Sequence, residues 1–152
     1  MANYGKAIAY EKLNKINEAI EQLNKAVALT KDNVDYRLEL ARLYFNRGVA
    51  AGPVQPAAEN ITTGTKPAQD LSVSDTASVT IKKNEDIAAA EQLFLSVTKT
   101  DKNHANAFYS LAMLYQKIGE LENAKLAIKQ LLTIATDQPS IDTIKKQFPG
   151  LY

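Results

Sequence analysis

"LAMLYQKIGELENAKLAI", residues 111–128, spaces its small residues in a way that decides the fold. Ala112 comes three residues before Tyr115, Tyr115 four before Gly119, and Gly119 five before Ala124. The pattern recurs near the start of the chain. Ala7, Tyr10, Asn14, Ala19, Leu23 and Ala26 fall at the offsets of Ala112, Tyr115, Gly119, Ala124, Ile128 and Leu131. A third copy opens in "LARLYFNRG" with Ala41, Tyr44 and Gly48, and its second half lies far downstream as Ala90, Phe94 and Val97.

The intervals locate the irregularity. Twelve residues separate Ala7 from Ala19 and Ala112 from Ala124, but 49 separate Ala41 from Ala90. From the end of one unit to the next small residue the interval is 15 both times, Ala26 to Ala41 and Val97 to Ala112. One insertion of 37 residues, at about 49–85, accounts for every offset.

Each unit reads as two helices. Apolar residues recur at i, i+3, i+4 and i+7 in Ile16, Ala19, Ile20, Leu23, Ala26 and Val27, and again in Leu121, Ala124, Ile128, Leu131 and Leu132. Alanines belong where two helices cross, because a small side chain lets the backbones approach. The tyrosine fills the hollow beside them. Gly48 and Gly119 are predicted to supply the positive φ that ends a first helix, with Asn14 as the next best residue for that role. Asn17, Asn33 and Asn103 are predicted helix caps. The spacing is that of an antiparallel helix pair built to stack on copies of itself.

At these residues the chain resembles the tetratricopeptide repeat family, whose signature is W-x2-L-G-x2-Y followed by A-x3-F. The third unit reads Phe108-x2-Leu111-Ala112-x2-Tyr115, then Ala124-x3-Ile128. The second reads Leu40-Ala41-x2-Tyr44, then Ala90-x3-Phe94, with Arg37 at the place of the large aromatic. The first has Asn3 at that place and Lys6 for the leucine, and the proline that usually closes a unit is replaced by Lys31 and Lys102. The resemblance covers the chain outside the insertion. It implies an all-α fold, a right-handed α-solenoid of stacked antiparallel helix pairs, in one domain spanning 1–152. Its repeats would run 1–33, 34–104 with the insertion, and 105–138, and the cap 139–152.

Terminal repeats need an element to cover their outer face. "PSIDTIKKQFPGLY" suits that role: Pro139 fits a helix's first turn, and Ile141, Ile144 and Phe148 share one face. Residues 139–148 are the predicted capping helix. No comparable element precedes the first unit; the expectation is a chain cut from a longer protein at a repeat boundary, the alternative a first helix covered by a partner. The insertion is rich in Pro, Ala, Ser and Thr and is not expected to form a helix pair. "SVTIKK" has strand character that could pair it with "NITT", and Asn60-Ile61-Thr62 matches a glycosylation acceptor. The stretch reads as a surface excursion at a helix–helix turn, the sharper alternative being a flap over a binding groove.

Composition excludes several classes. Lys and Arg number 18 against 17 Asp and Glu, a net charge of +1, without the basic excess that nucleic acid favours. No cysteine is present, so disulfides, thiol catalysis and thiolate metal sites are excluded. No apolar run approaches the roughly 18 to 20 residues of a membrane span, and "MANYGKAIAY" lacks a signal-peptide core. The expectation is a soluble segment, cytoplasmic or periplasmic, with no direct membrane insertion. His104, the one histidine, reads as an exposed turn residue beside a helix start. Neither G-x-x-x-x-G-K-[ST] nor G-x-G-x-x-G occurs, so no phosphate cradle is signalled. No enzyme and no cofactor is expected.

Recognition remains. In the family, the concave side is lined mainly by the first helix of each unit, which here offers Tyr4, Ile8, Glu11 and Lys12, then Asp35, Leu38, Arg42, Phe45 and Asn46, then Asn106, Tyr109, Met113, Gln116 and Lys117. Tyr, Phe, Met and Arg are types enriched at protein interfaces. One subgroup of the family grips a terminal carboxylate with Lys, Asn and Arg at positions that here hold Tyr4, Ile8, Glu39, Asn106 and Ser110. None matches, so a chaperone-tail clamp is not expected. The expected function is a non-catalytic module binding an extended or helical peptide of a protein partner. The alternative is a structural spacer or weakly self-associating segment of a larger protein, as in bacterial envelope proteins that carry such repeats.

Overall fold

The computed structural model describes residues 2–52 and 81–152. The glycosylation tripeptide and most of the "NITT"/"SVTIKK" pairing lie outside them. The described residues form seven helices: α1 (Ala2–Lys12), α2 (Ile16–Leu29), α3 (Val34–Ala50), α4 (Glu85–Thr100), α5 (Ala105–Ile118), α6 (Leu121–Ile134) and α7 (Gln138–Gln147). α1 packs on α2, α3 on α4 and α5 on α6, and the pairs join through α2 against α3 and α4 against α5. The result is an all-α helical repeat.

The periodic alanines sit at the crossings. Ala7, Ala19, Ala41, Ala90, Ala112 and Ala124 are each at most 1 % exposed. No larger side chain fits without moving a backbone. Around them Leu23, Leu43, Ile87, Phe94, Leu114 and Ile128 are buried, and Phe94 and Ile128 fill the places that the repeat pattern gives to large apolar residues. Leu121, assigned by periodicity to the apolar face of α6, is 48 % exposed, because it opens the helix ahead of the crossing.

The turns follow the sequence where the chain reverses at once. Asn14 (φ 57°) and Gly119 (φ 78°) are both left-handed, as expected. Gly48 is different. α3 runs on to Ala50, and Gly48 lies within it; the chain enters the insertion there, so no tight reversal is needed. Glycine is required at this place for close approach. A Cβ on it would lie 2.8 Å from Ile87 Cδ1 and 2.9 Å from Asn84 Oδ1. Gly48→Val should therefore cost about 1–3 kcal/mol by overpacking. Gly48→Ala should cost less, since the gain in helix propensity of roughly 1 kcal/mol opposes the clash. Urea unfolding at constant m reads both, and equal stability of all three proteins would refute the close-approach account.

Caps were partly legible. Asn33 Oδ1 accepts from Tyr36 N at 3.0 Å, as expected. Asn103 is not a cap: His104 holds that place, its Nδ1 accepting from Ala107 N at 3.3 Å, and it is partly buried. Asn17 caps nothing; its Oδ1 accepts from Arg47 Nη1 at 2.7 Å. Asn84 both caps α4, accepting from Ile87 N, and donates to the Gly48 carbonyl at 2.9 Å. That one side chain ties the end of α3 to the start of α4. Arg37, at the place of the usual aromatic, spans the same pair by donating to Ser96 Oγ and Thr100 Oγ1, while its Nε is buried without a partner among the described residues.

The far edge of the insertion belongs to the packed body. Ile81 is buried in the core and donates its N–H to the Lys117 carbonyl at 2.8 Å. Lys83 reaches the buried Glu91 at 2.5 Å. At the other end α7 starts behind Asp137, which accepts from Ser140 N, with Pro139 in its first turn as predicted. Ile144, Phe148 and Leu151 anchor this cap in the main core.

Candidate functional site

The first helices of the three pairs are neighbours: α1 meets α3 through Tyr4–Tyr36 and Arg42–Glu11, α3 touches α5, and their outward side chains form the candidate face. Its first half is built by α1 and α3. Tyr4 and Tyr36 stack with ring centroids 4.7 Å apart and planes 18° from parallel. Burial, then the negative charges of Glu39 and Asp35 and the neighbouring Tyr36, push the Tyr4 phenol above its ordinary pKa. Ile8 and Leu38 are partly buried beside this pair.

Arg42 is held by two carboxylates across α1 and α3. Its Nη2 reaches both oxygens of Glu11 at 2.7 and 2.8 Å, and its Nε donates to Glu39 at 2.9 Å. Burial works against the charge, but the hydrogen bonds to Glu11 and Glu39 outweigh it and raise the guanidinium's pKa. The forked geometry of the arginine is spent on holding α1 against α3. Phe45 is partly buried against the main core and Asn46 is exposed.

The second half, on α5, is partly covered by the chain itself. Tyr109 meets Phe148 edge to face, with centroids 5.5 Å apart at 69°. Met113 Sδ accepts from Gln147 Nε2 at 3.7 Å. Gln116 is partly buried, and Lys12, Asp35, Asn106 and Lys117 are exposed. Periodicity placed Phe148 on the apolar face of the cap, but nothing in a linear pattern says which helix that face meets. Tyr36 and Glu39 were likewise missed as members of one aromatic and acidic patch. Tyr36 stands two residues before the position equivalent to Tyr4, and only the approach of α1 to α3 brings the rings together.

Two other recesses lie at the edges of the stack. A cleft of about 490 Å³ opens between α5, α6 and α7, lined by Asn106, Tyr109, Leu131, Ile134, Pro139 and Ile144. A smaller apolar crevice of about 270 Å³, between α4, α5 and α6, is edged by Leu95, Leu126 and Gln130 beside Phe108 and Tyr115. The buried carboxylate of Glu91 belongs to the core: Lys83 neutralises it, and together with burial it raises the pKa of the Tyr115 phenol. Among the described residues no group of His, Cys, Asp and Glu is placed to hold a metal ion, and no helix is long and apolar enough to cross a membrane.

Residues 9–48 match the sequence model described as "TPR repeat", and residues 105–138 match that of the "Tetratricopeptide repeat". Among solved structures, the first TPR of Spaghetti (RPAP3), bound to the HSP90 peptide SRMEEVD, is similar with a TM-score of 0.61. The identity is 15 %, and the match covers 95 % of this chain and 89 % of that one. A likeness at that identity is one of fold. No curated protein matches the chain in sequence.

Proposed function

We propose that this chain, which belongs to the tetratricopeptide repeat family, is a non-catalytic interaction module that holds an extended or helical peptide segment against the face of α1, α3 and α5. The observation that carries this reading is the set of half-buried apolar and aromatic side chains on that face. Tyr4, Ile8, Leu38, Phe45 and Met113 are neither packed away nor isolated in solvent. Rigid rings and aliphatic groups held by a packed scaffold bind with little ordering cost. The peptide carried by the RPAP3 repeat lends the fold a precedent. On this reading the repeats run 1–33, 34–104 and 105–138, with 139–152 as the cap.

On this reading Leu38 and Phe45, both on the middle helix α3 and partly buried, carry much of the binding energy. Ile8, Glu11, Asn46 and Gln116 form its edges, and Arg42 contributes by fixing α1 against α3. The test starts from 12-residue peptides selected by phage display on the wild-type chain. Leu38→Ala and Phe45→Ala should each weaken a selected peptide by more than about 1 kcal/mol with unchanged helical content. Leu126→Ala, in the crevice between α4 and α6 and 64 % exposed, should leave binding alone. If Leu126→Ala abolishes binding and the two face variants do not, the working surface is the crevice between α4 and α6.

A further inference from the structure

The chemistry of the partner segment can be taken one step further, resting on the groove reading above. The arginine on this face is already engaged by two carboxylates: Glu11 takes Nη2 with both oxygens and Glu39 takes Nε. Asp35 stands exposed in the first turn of α3, and the side chains of Glu11 and Glu39 keep 27 % and 28 % of their surface in contact with solvent. Three carboxylates therefore share this patch with one guanidinium, and Lys12 stands apart at the exposed end of α1. Between Asp35 and Glu39 the Tyr4–Tyr36 stack offers aromatic surface.

A carboxylate arriving here meets three carboxylates against one guanidinium that two of them already hold, and like-charge contacts at a partly desolvated surface are strongly unfavourable. An arginine or lysine meets the opposite. Its ammonium or guanidinium is drawn to the excess negative charge and to a tyrosine ring face in a cation–π contact, while its aliphatic stem packs on apolar surface. We propose that the segment bound on this face presents an Arg or Lys side chain to the Tyr4–Tyr36 pair between Asp35 and Glu39, and that it is not gripped by a terminal carboxylate.

The phage-selected peptides provide the test. One position should be enriched in Arg or Lys. Replacing that residue with Gln in the synthetic, C-terminally amidated peptide should weaken binding to the wild-type chain by roughly five- to tenfold in fluorescence anisotropy. The same replacement should have little effect on binding to Asp35→Asn, or to the Asp35→Asn/Glu39→Gln double variant, because the charge that the cation answers has been removed. Asp35→Asn alone keeps Arg42 paired, so the result does not depend on the α1–α3 contact. Selected peptides that carry no basic position, or bind better with Glu there, while still weakened by Phe45→Ala, would overturn this inference and leave the groove. Failure to select any peptide that Phe45→Ala weakens would overturn both.

Discussion

Phe94→Ala is expected to lower the unfolding free energy by about 3–5 kcal/mol, the range for truncating a fully buried phenylalanine. Phe94 is 1 % exposed in the centre of α4 and belongs to the cluster that also includes Ala41, Ile87, Leu111, Leu114 and Ile128. These neighbours come from α3, α4, α5 and α6, so the cavity cannot close by moving one element. The loss should appear as a lower urea midpoint with an unchanged slope, because every helix pair depends on its neighbours. A change below about 1 kcal/mol would mean that α4 does not join the second and third pairs.

Phe148→Ala should be comparably costly, about 3–5 kcal/mol at the site, but the cost should fall on the cap. Phe148 is fully buried, and it, Ile144 and Leu151 are the buried residues that hold the C-terminal segment to the stack. A ten-residue helix with one buried side chain of its own can detach without unfolding what it covers. Hydrogen exchange should show lost protection from Ile141 to Phe148 while α3 and α4 keep theirs. The near-ultraviolet signal of Tyr109 should change as its edge-to-face partner leaves. Uniform loss of protection across all seven helices would instead make the cap part of one cooperative unit with the core.

The sequence by itself determined the repeat and its register. Small residues at twelve-residue intervals mark helix crossings because steric closeness is a local requirement on a single side chain, and each such alanine is buried. Left-handed turns at Asn14 and Gly119 were legible for the same reason: φ belongs to one residue. The position of the insertion followed from arithmetic on these marks. What sequence left undecided were relations between elements. Gly48 carries the family's turn glycine, yet it serves the approach of α4 because the chain need not reverse there. Arg42 has the side chain of a ligand donor, but Glu11, 31 residues earlier, and Glu39 neutralise it. Tyr109 and Met113 occupy groove positions in the linear pattern, and Phe148 and Gln147 touch them from a C-terminal segment whose direction no spacing specifies. Pairing and coverage are properties of distance in space, and that distance is set only when the helices pack.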